Sequence, residues 1–264
     1  MWRPSLTPEA AVRRPIVAAN WKMFKTLAEV GPYVGELLPL LPDPAAVEVE
    51  LCVPYTLLAA TVAATSGTEV RVSAQNMHEE PEGGYTGEVS ASMLLELGVQ
   101  GVVLGHSERR RLFGETDRAL HEKLPAVLAA GLRPILCVGE SEEERDAGDT
   151  ERRLRYQVQE ALEGVPGERL PEVVLAYEPV WAIGSGRSAT PEQAQEAIAF
   201  VRALVGDLSE QAARVVRVLY GGSVKGENAL ELCSLPDVDG ALVGGASLDP
   251  ATLAAVAMAA AAQG

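Results

Sequence analysis

The segment IVAANWK (16–22) distinguishes between two candidate folds. It joins an apolar, β-rich run to a turn that contains Asn20, Trp21 and Lys22. A doubly wound sheet that binds a dinucleotide usually carries a glycine-rich turn directly after its first strand. Because this turn has no glycine, it favours a closed barrel of parallel strands, although alternating strands and helices by themselves fit both folds.

Eight short apolar runs of this kind recur along the chain, with helix-like segments between them. The runs are 16–19, 49–53, 70–74, 102–104, 135–138, 173–177, 215–219 and 241–243. The clearest helical segments are 116–130, 151–162 and 191–205, bounded by signals such as Thr190-Pro191 at a start and Gly131 after an end. Parallel strands need such crossovers. We therefore predict a single α/β domain, a (β/α)8 barrel over residues 15–264, after an N-terminal extension of residues 1–14.

The charge of the chain restricts its partners. A formal net charge of -15 over 264 residues argues against nucleic acid and against an anionic membrane surface, because both need a basic face. A small phosphate ester is still possible, since distant charges are screened over about 8 Å and a few N–H groups dominate locally. The Ala-rich end, 251–262, is too short to span a bilayer and predicts a packed final helix.

The three cysteines, Cys52, Cys137 and Cys233, are widely spaced and include no C-x-x-C pair. This pattern is typical of a reducing compartment and predicts neither disulfides nor a structural zinc. Residues 1–14 lack the apolar segment of a secretory signal. We therefore expect a cytoplasmic protein without a metal, in which each cysteine packs in the core.

The polar residues that interrupt the apolar runs lie where strands end. They are Asn20, Lys22, Gln75, Asn76, His106, Ser107, Glu108, Glu178, Ser223, Gly244 and Gly245. The carboxyl ends of barrel strands converge on the face where active sites are built. One shared pocket is therefore expected.

Several of these residues belong to motifs that resemble the triosephosphate isomerase family. The motifs are AANWKMFKT (18–26), AQNMHEEPEGGYTGEVS (74–90), GHSERR (105–110), AYEPVWAIGSG (176–186), YGGSV (220–224) and GALVGGASL (240–248). They occur in the family's order and approximate spacing, from about Ile16 to the final helix. The resemblance implies a (β/α)8 TIM barrel and an isomerase that needs no cofactor and moves a proton between adjacent carbons of a triose phosphate.

The resemblance also implies the catalytic groups. Glu178 would be the base that removes the proton, and His106 the main donor to the enediolate oxygen. Lys22 would supply positive charge, oriented by Asn20. We expect Ser107 to cap a short helix whose N-terminus keeps His106 neutral, and the resemblance implies the same neutral donor.

Further residues support these groups by resemblance. Glu108 and Arg109 would support the lysine and a subunit contact. Phosphate would bind backbone N–H groups at Gly184, Ser223, Gly244 and Gly245. The lid would comprise Pro179, Val180, Trp181, Ala182, Ile183, Gly184, Ser185, Gly186, Arg187, Ser188 and Ala189. A protruding loop with Tyr85 and Thr86 would reach the active site of a second copy in a homodimer.

Two alternatives stay open. A lyase or synthase on the same fold would share the glycine-rich phosphate site but would not need Lys22, His106 and Glu178 together. An inactive phosphate-binding or structural barrel would not need this set intact. An assay with glyceraldehyde 3-phosphate separates the three classes.

Overall fold

A computed structural model of the protein describes residues 13–183 and 189–263. Within them, parallel strands pair in chain order and β8 pairs with β1, so the sheet closes into an eight-stranded barrel. The strands are β1 Ile16–Asn20, β2 Glu48–Val53, β3 Arg71–Ala74, β4 Gly101–Leu104, β5 Arg133–Val138, β6 Val174–Tyr177, β7 Arg217–Tyr220 and β8 Gly240–Val243. The predicted (β/α)8 barrel is confirmed, and each predicted strand agrees with the observed one to within two residues at either end.

The helices lie between the strands. They are α1 Leu27–Leu37, α2 Leu58–Ala64, α3 Ala91–Glu96, α4 Ser107–Phe113, α5 Asp117–Ala129, α6 Glu142–Asp146, α7 Thr150–Leu162, α8 Pro191–Leu208, α9 Glu210–Ala213, α10 Gly226–Cys233 and α11 Pro250–Ala261. Short 3-10 helices occupy Leu38–Leu40, Tyr55–Leu57, Leu170–Glu172, Val180–Ala182 and Gly245–Leu248. No helix in these described ranges is long and apolar enough to cross a membrane.

The predicted boundary signals act as expected. The Thr190 side chain accepts a hydrogen bond from Gln193 N, and the Gln193 side chain bonds back to Thr190 N, which forms a capping box before Pro191. Gly131 follows α5 with φ 77°, a left-handed conformation that glycine adopts without strain. Helix α8 continues to Leu208, three residues beyond the predicted end.

Two apolar cores result from the alternation of side chains along each strand. The larger core lies between barrel and helices. The smaller core fills the barrel with Ile16, Ala18, Cys52, Val103, Ile135, Cys137, Val174, Ala176, Leu219 and Leu242. Cys52 and Cys137 are in the barrel, Cys233 is in the outer core, and all are free thiols, which confirms their predicted packing.

Candidate active site at the carboxyl ends of the strands

A pocket of about 390 Å³ opens at the carboxyl ends of the strands. Small-molecule sites commonly have volumes of about 300–1,000 Å³. Seven of the residues predicted from sequence line it: Asn20, Lys22, His106, Glu178, Ser223, Gly244 and Gly245. Closure of the barrel brings these residues together from five different strand ends.

The ring of His106 is oriented by the start of α4. His106 is itself the N-cap residue, because its Nδ1 accepts a hydrogen bond from Glu108 N at 3.2 Å. The expectation that Ser107 caps this helix is therefore wrong: Ser107 is the first helical residue, and the histidine ring takes the place of a cap hydroxyl. A carboxylate oxygen of Glu108 lies 3.6 Å from Nδ1, beyond hydrogen-bond distance.

This cap decides the tautomer of the imidazole. A ring nitrogen that accepts a hydrogen bond carries no proton, so the neutral ring has its proton on Nε2. That Nε2 lies 3.0 Å from Glu178 Oε1, and both residues line the pocket. The neutral ring therefore has its N–H on the side of the Glu178 carboxylate.

Glu178 follows β6 and is almost fully buried, with 2% of its surface exposed. Its Oε2 accepts a hydrogen bond from Ser107 N at 2.8 Å, and its backbone N–H donates to Val138 O at 2.8 Å. Gly221 packs against it so closely that an added Cβ would lie 2.9 Å from Glu178 Cγ. The carboxylate is therefore held between α4 and the turn after β7.

Lys22 has φ 52°, in the left-handed region that non-glycine residues rarely adopt. The conformation is held by the Asn20 side chain, whose Oδ1 accepts from Lys22 N at 3.0 Å, and by Gln75, whose Nε2 donates to Lys22 O at 2.9 Å. The ammonium donates to Glu108 Oε1 at 2.6 Å. Gly244 leaves room for this side chain, because a Cβ there would lie 3.1 Å from Lys22 Cε.

The Arg109 side chain contacts neither Lys22 nor Glu178. Its Nε lies 3.4 Å from Glu115 Oε2, and its guanidinium covers the ring of Phe113. It lines a second pocket of about 240 Å³, on the outer side of Lys22.

The residues that are predicted to bind phosphate, as far as they are described, line the pocket of about 390 Å³. Ser223 follows β7, and its carbonyl accepts from Asn228 Nδ2 at 3.0 Å. Gly244 and Gly245 follow β8, where Gly245 begins the short 3-10 helix. The predicted phosphate residue Gly184 lies outside the described residues, as do Ser185, Gly186, Arg187 and Ser188 of the predicted lid.

The described ends of the predicted lid pack against the barrel. Trp181 Nε1 donates to Glu140 Oε1 at 2.9 Å, and Tyr177 OH donates to the same oxygen at 3.1 Å. Arg145 NH1 also reaches it at 3.0 Å, while the guanidinium covers the Trp181 ring. Ala182 and Ile183 line the pocket.

Sequence reasoning did not assign roles to four groups that build this site. Glu140 anchors the base of the predicted lid, Gln75 orients Asn20 and Lys22, and Gly221 packs on Glu178. Lys225 lines the same pocket. Glu140 and Gln75 share the signal used for the others, a polar residue just after an apolar strand.

Buried groups beside the site stay protonated at neutral pH. Burial, followed by the nearby Glu178 carboxylate, raises the pKa of the Cys137 thiol well above its usual value. Burial also raises the pKa of Tyr177, and that of Tyr220 to about 12. The Cys137 thiol and the two phenols are thus unsuited to accept a proton from a ligand near pH 7.

A closed parallel barrel with such a polar pocket at the carboxyl ends of its strands defines a (β/α)8-barrel enzyme. The sequence model of the family "Triosephosphate isomerase" matches residues 15–260. The chain belongs to the triosephosphate isomerase family.

Individual relatives agree with this assignment. The chain is 51% identical to a triosephosphate isomerase of Symbiobacterium thermophilum, covering 95% of this chain and 98% of the relative. It is 50% identical to a triosephosphate isomerase of Moorella thermoacetica over 93% of this chain and 98% of the relative. It is 48% identical to a triosephosphate isomerase of Carboxydothermus hydrogenoformans, with the same two coverages.

Proposed function

We propose that this chain interconverts D-glyceraldehyde 3-phosphate and dihydroxyacetone phosphate through an enediol(ate) intermediate, a step of glycolysis and gluconeogenesis. The observation that carries this proposal is the convergence of Glu178, His106 and Lys22 on one pocket. The reaction moves a proton within one substrate without net oxidation, so its electron balance requires no cofactor.

Glu178 acts as the base. Its carboxylate is shielded from water and borders the pocket, so it can take a proton from the carbon beside the substrate carbonyl. The contacts to Ser107 and His106 define its position before substrate binds. A positioned carboxylate contributes roughly 10²- to 10⁴-fold to the rate of such a step.

His106 and Lys22 stabilise the negative charge that develops on the enediolate oxygen. The proton on His106 Nε2 is directed into the pocket by the bond that Nδ1 accepts from Glu108 N. The Lys22 ammonium is held by Glu108. Donors that are oriented before the reaction need no reorganisation in the transition state, and each is typically worth about 3 kcal/mol.

The substrate phosphate binds the glycine-rich wall formed by Ser223, Gly244 and Gly245, together with Gly184 of the lid. Absence of side chains allows backbone N–H groups to approach an anion closely. Lys22 stretches past Gly244, so its positive charge serves the same anion. This arrangement lets a chain of strongly negative net charge bind a phosphate ester.

Residues 179–189 act as a lid hinged where Trp181 is bonded to Glu140. Replacing residues 183–187 by two glycines is expected to raise phosphate elimination relative to isomerisation, because an open site lets the enediolate lose phosphate to water. The measurement is the ratio of methylglyoxal to dihydroxyacetone phosphate formed per turnover. A ratio equal to that of the parent enzyme would exclude this role.

We also propose a homodimer in which the exposed loop 83–87, with Tyr85 and Thr86, enters the second pocket of another copy. That pocket lies beside Lys22 and is bordered by apolar side chains with large exposed fractions, 94% for Met23 and 70% for Phe113. Such a patch on a soluble chain is typical of a protein interface.

Phe113→Asp is expected to raise the dimer dissociation constant on the order of 30-fold or more, because the interface would have to desolvate a carboxylate. Sedimentation equilibrium measures this constant. Leu230→Asp, at an exposed apolar position on α10, serves as the matched control. Equal dissociation constants for the two variants would refute this interface.

The function is tested with a coupled assay on the full chain. The chain should convert glyceraldehyde 3-phosphate rapidly to dihydroxyacetone phosphate, in the presence of a chelator as well as in buffer alone. A lyase, a synthase or an inactive barrel would not carry out this conversion.

We further propose that residues 15–264 are the catalytic domain and residues 1–14 an extension, so a chain that lacks residues 1–12 should keep this activity. Cell fractionation of the natural host tests the proposed cytoplasmic location.

A further inference from the structure

The opposite end of the barrel carries a layer of arginines. Barrel interiors are filled in layers to which alternate strands contribute one side chain each. In the four odd-numbered strands, the layer at the amino-terminal ends consists of arginines. They are Arg14 just before β1, Arg71 on β3, Arg133 on β5 and Arg217 on β7. Successive side chains of a strand point to opposite faces, and each arginine lies an even number of residues from an inward-facing position of its strand. All four arginines therefore belong to the inner face and share the barrel mouth at the amino-terminal ends of the strands.

Carboxylates neutralise this layer only in part. Glu48 lies close to three of the arginines: it forms an ion pair with Arg133, and it lies 3.7 Å from Arg71 Nε and 3.9 Å from Arg14 NH2. Glu50 is fully buried and bonded to Arg133 and Ser73. The mouth thus has four guanidinium groups and two carboxylates, an excess of two positive charges in a chain of net charge -15.

Asp239 adds little to this balance. It accepts from Arg13 Nε at 2.6 Å and from Arg202 NH2 at 2.5 Å, and Arg202 also pairs with Asp237, so two other arginines balance these two aspartates. Its negative charge therefore does not cancel the excess of the layer.

The guanidinium groups also have unused donors. In all four arginines the Nε–H is buried without a hydrogen-bond acceptor among the described residues. Within these ranges the Arg217 side chain has neither a hydrogen bond nor an ion pair. A buried donor without a partner is unfavourable, and more so when the group is charged. An anion at the mouth would balance part of the unpaired positive charge.

The layer is accessible from solvent. The exposed fraction of the side chain is 40% for Arg14, 30% for Arg71 and 10% for Arg133. Arg14 and Arg71 are thus the more exposed members, and Arg133 is held by Glu48 and Glu50. A small ligand can therefore reach the exposed parts of these guanidinium groups, whereas their Nε–H groups are buried.

We propose that this four-arginine mouth binds a phosphate-type dianion, at a site separate from the active site. A tetrahedral oxyanion matches the forked donors of guanidinium groups and carries the charge that balances the excess of two. Burial and the neighbouring guanidinium groups lower the pKa values of Arg71 and Arg217, which is the cost that such an anion would relieve.

The site is tested by titrating inorganic phosphate into the full chain by calorimetry, at constant ionic strength set with chloride. The parent for the titration is Lys22→Met, which weakens anion binding at the carboxyl end of the barrel. Arg217→Gln is added to this parent, and Arg118→Gln, an exposed arginine on α5, serves as the matched control. Glucose 6-phosphate, an ester of the same anion, is titrated in a second arm to separate free phosphate from a phosphate ester.

We expect one anion per subunit in the Lys22→Met parent and in its Arg118→Gln form. Arg217→Gln should weaken this binding about tenfold, the effect of one charge-assisted hydrogen bond. Arg71→Gln should do the same, and it provides the test if Arg217→Gln lowers the unfolding temperature too far. The single Arg217→Gln change in the native background should leave isomerase turnover equal to that of Arg118→Gln.

Binding of inorganic phosphate or of glucose 6-phosphate that the arginine substitutions weaken supports the site. The anion that binds shows whether the ligand is free phosphate or a phosphate ester. The proposal is overturned if neither anion binds the Lys22→Met parent, or if both arginine variants bind as tightly as the Arg118→Gln control. Because binding is measured by heat, this result does not depend on the isomerase assay.

Discussion

Glu178→Gln is expected to lower kcat by roughly 10²- to 10⁴-fold, because an amide cannot accept the proton from the substrate carbon. The amide has nearly the volume of the carboxylate, so it fits the tight space beside Gly221. The phosphate-binding wall is unchanged, so KM should change little. Steady-state kinetics in both directions measures this effect.

Glu227→Gln is the control for Glu178→Gln. Glu227 is an exposed acid in the first turn of α10, close to the same end of the barrel, and it does not line the pocket. Its replacement removes the same charge but should leave kcat unchanged. A Glu178→Gln enzyme with turnover near that of Glu227→Gln would rule out Glu178 as the base.

Lys22→Met is expected to lower kcat/KM by roughly 10²- to 10³-fold, since it removes a donor that is oriented toward the developing charge and the phosphate. Methionine keeps much of the length of the side chain that passes Gly244. The change also leaves the Glu108 carboxylate without the ammonium at 2.6 Å, so a negative charge then faces the substrate.

Two companion variants separate these causes. Lys22→Met/Glu108→Gln removes the unpaired carboxylate, and a low kcat/KM in this double variant attributes the loss to the missing ammonium. Lys225→Met changes the other lysine of the pocket, which is exposed, and should have a much smaller effect because water screens its charge. Full recovery in the double variant would contradict a direct role of Lys22.

Much of the candidate site could be predicted from local sequence. Asn20, His106 and Glu178 are polar residues that follow apolar strands directly, and strand polarity alone predicts that such positions share one end of the barrel. Their contacts could not be predicted in the same way. The bond from Ser107 N to Glu178 and the use of His106 as a helix cap depend on side-chain orientations that only the packed barrel defines.

Long-range register explains the remaining differences. Gln75 bonds to Asn20 and Lys22 because β1, β2 and β3 are adjacent with a particular offset. The arginine mouth has the same origin: its four members are separated by up to 203 positions, from Arg14 to Arg217, and no local pattern relates them. A shift of one residue in any pairing would turn these side chains to the other face of the sheet.

The alternation of strands and helices, the end of the barrel at which polar residues collect, and the family of the chain could all be predicted from the amino-acid sequence. These features depend on local composition, strand direction and contiguous motifs. The folded barrel was needed to define the tautomer of His106, the anchoring of Trp181 by Glu140, and the convergence of four arginines at the opposite mouth. These features depend on which strands become neighbours when the barrel closes, because hydrogen bonds and ion pairs form only within a few ångströms.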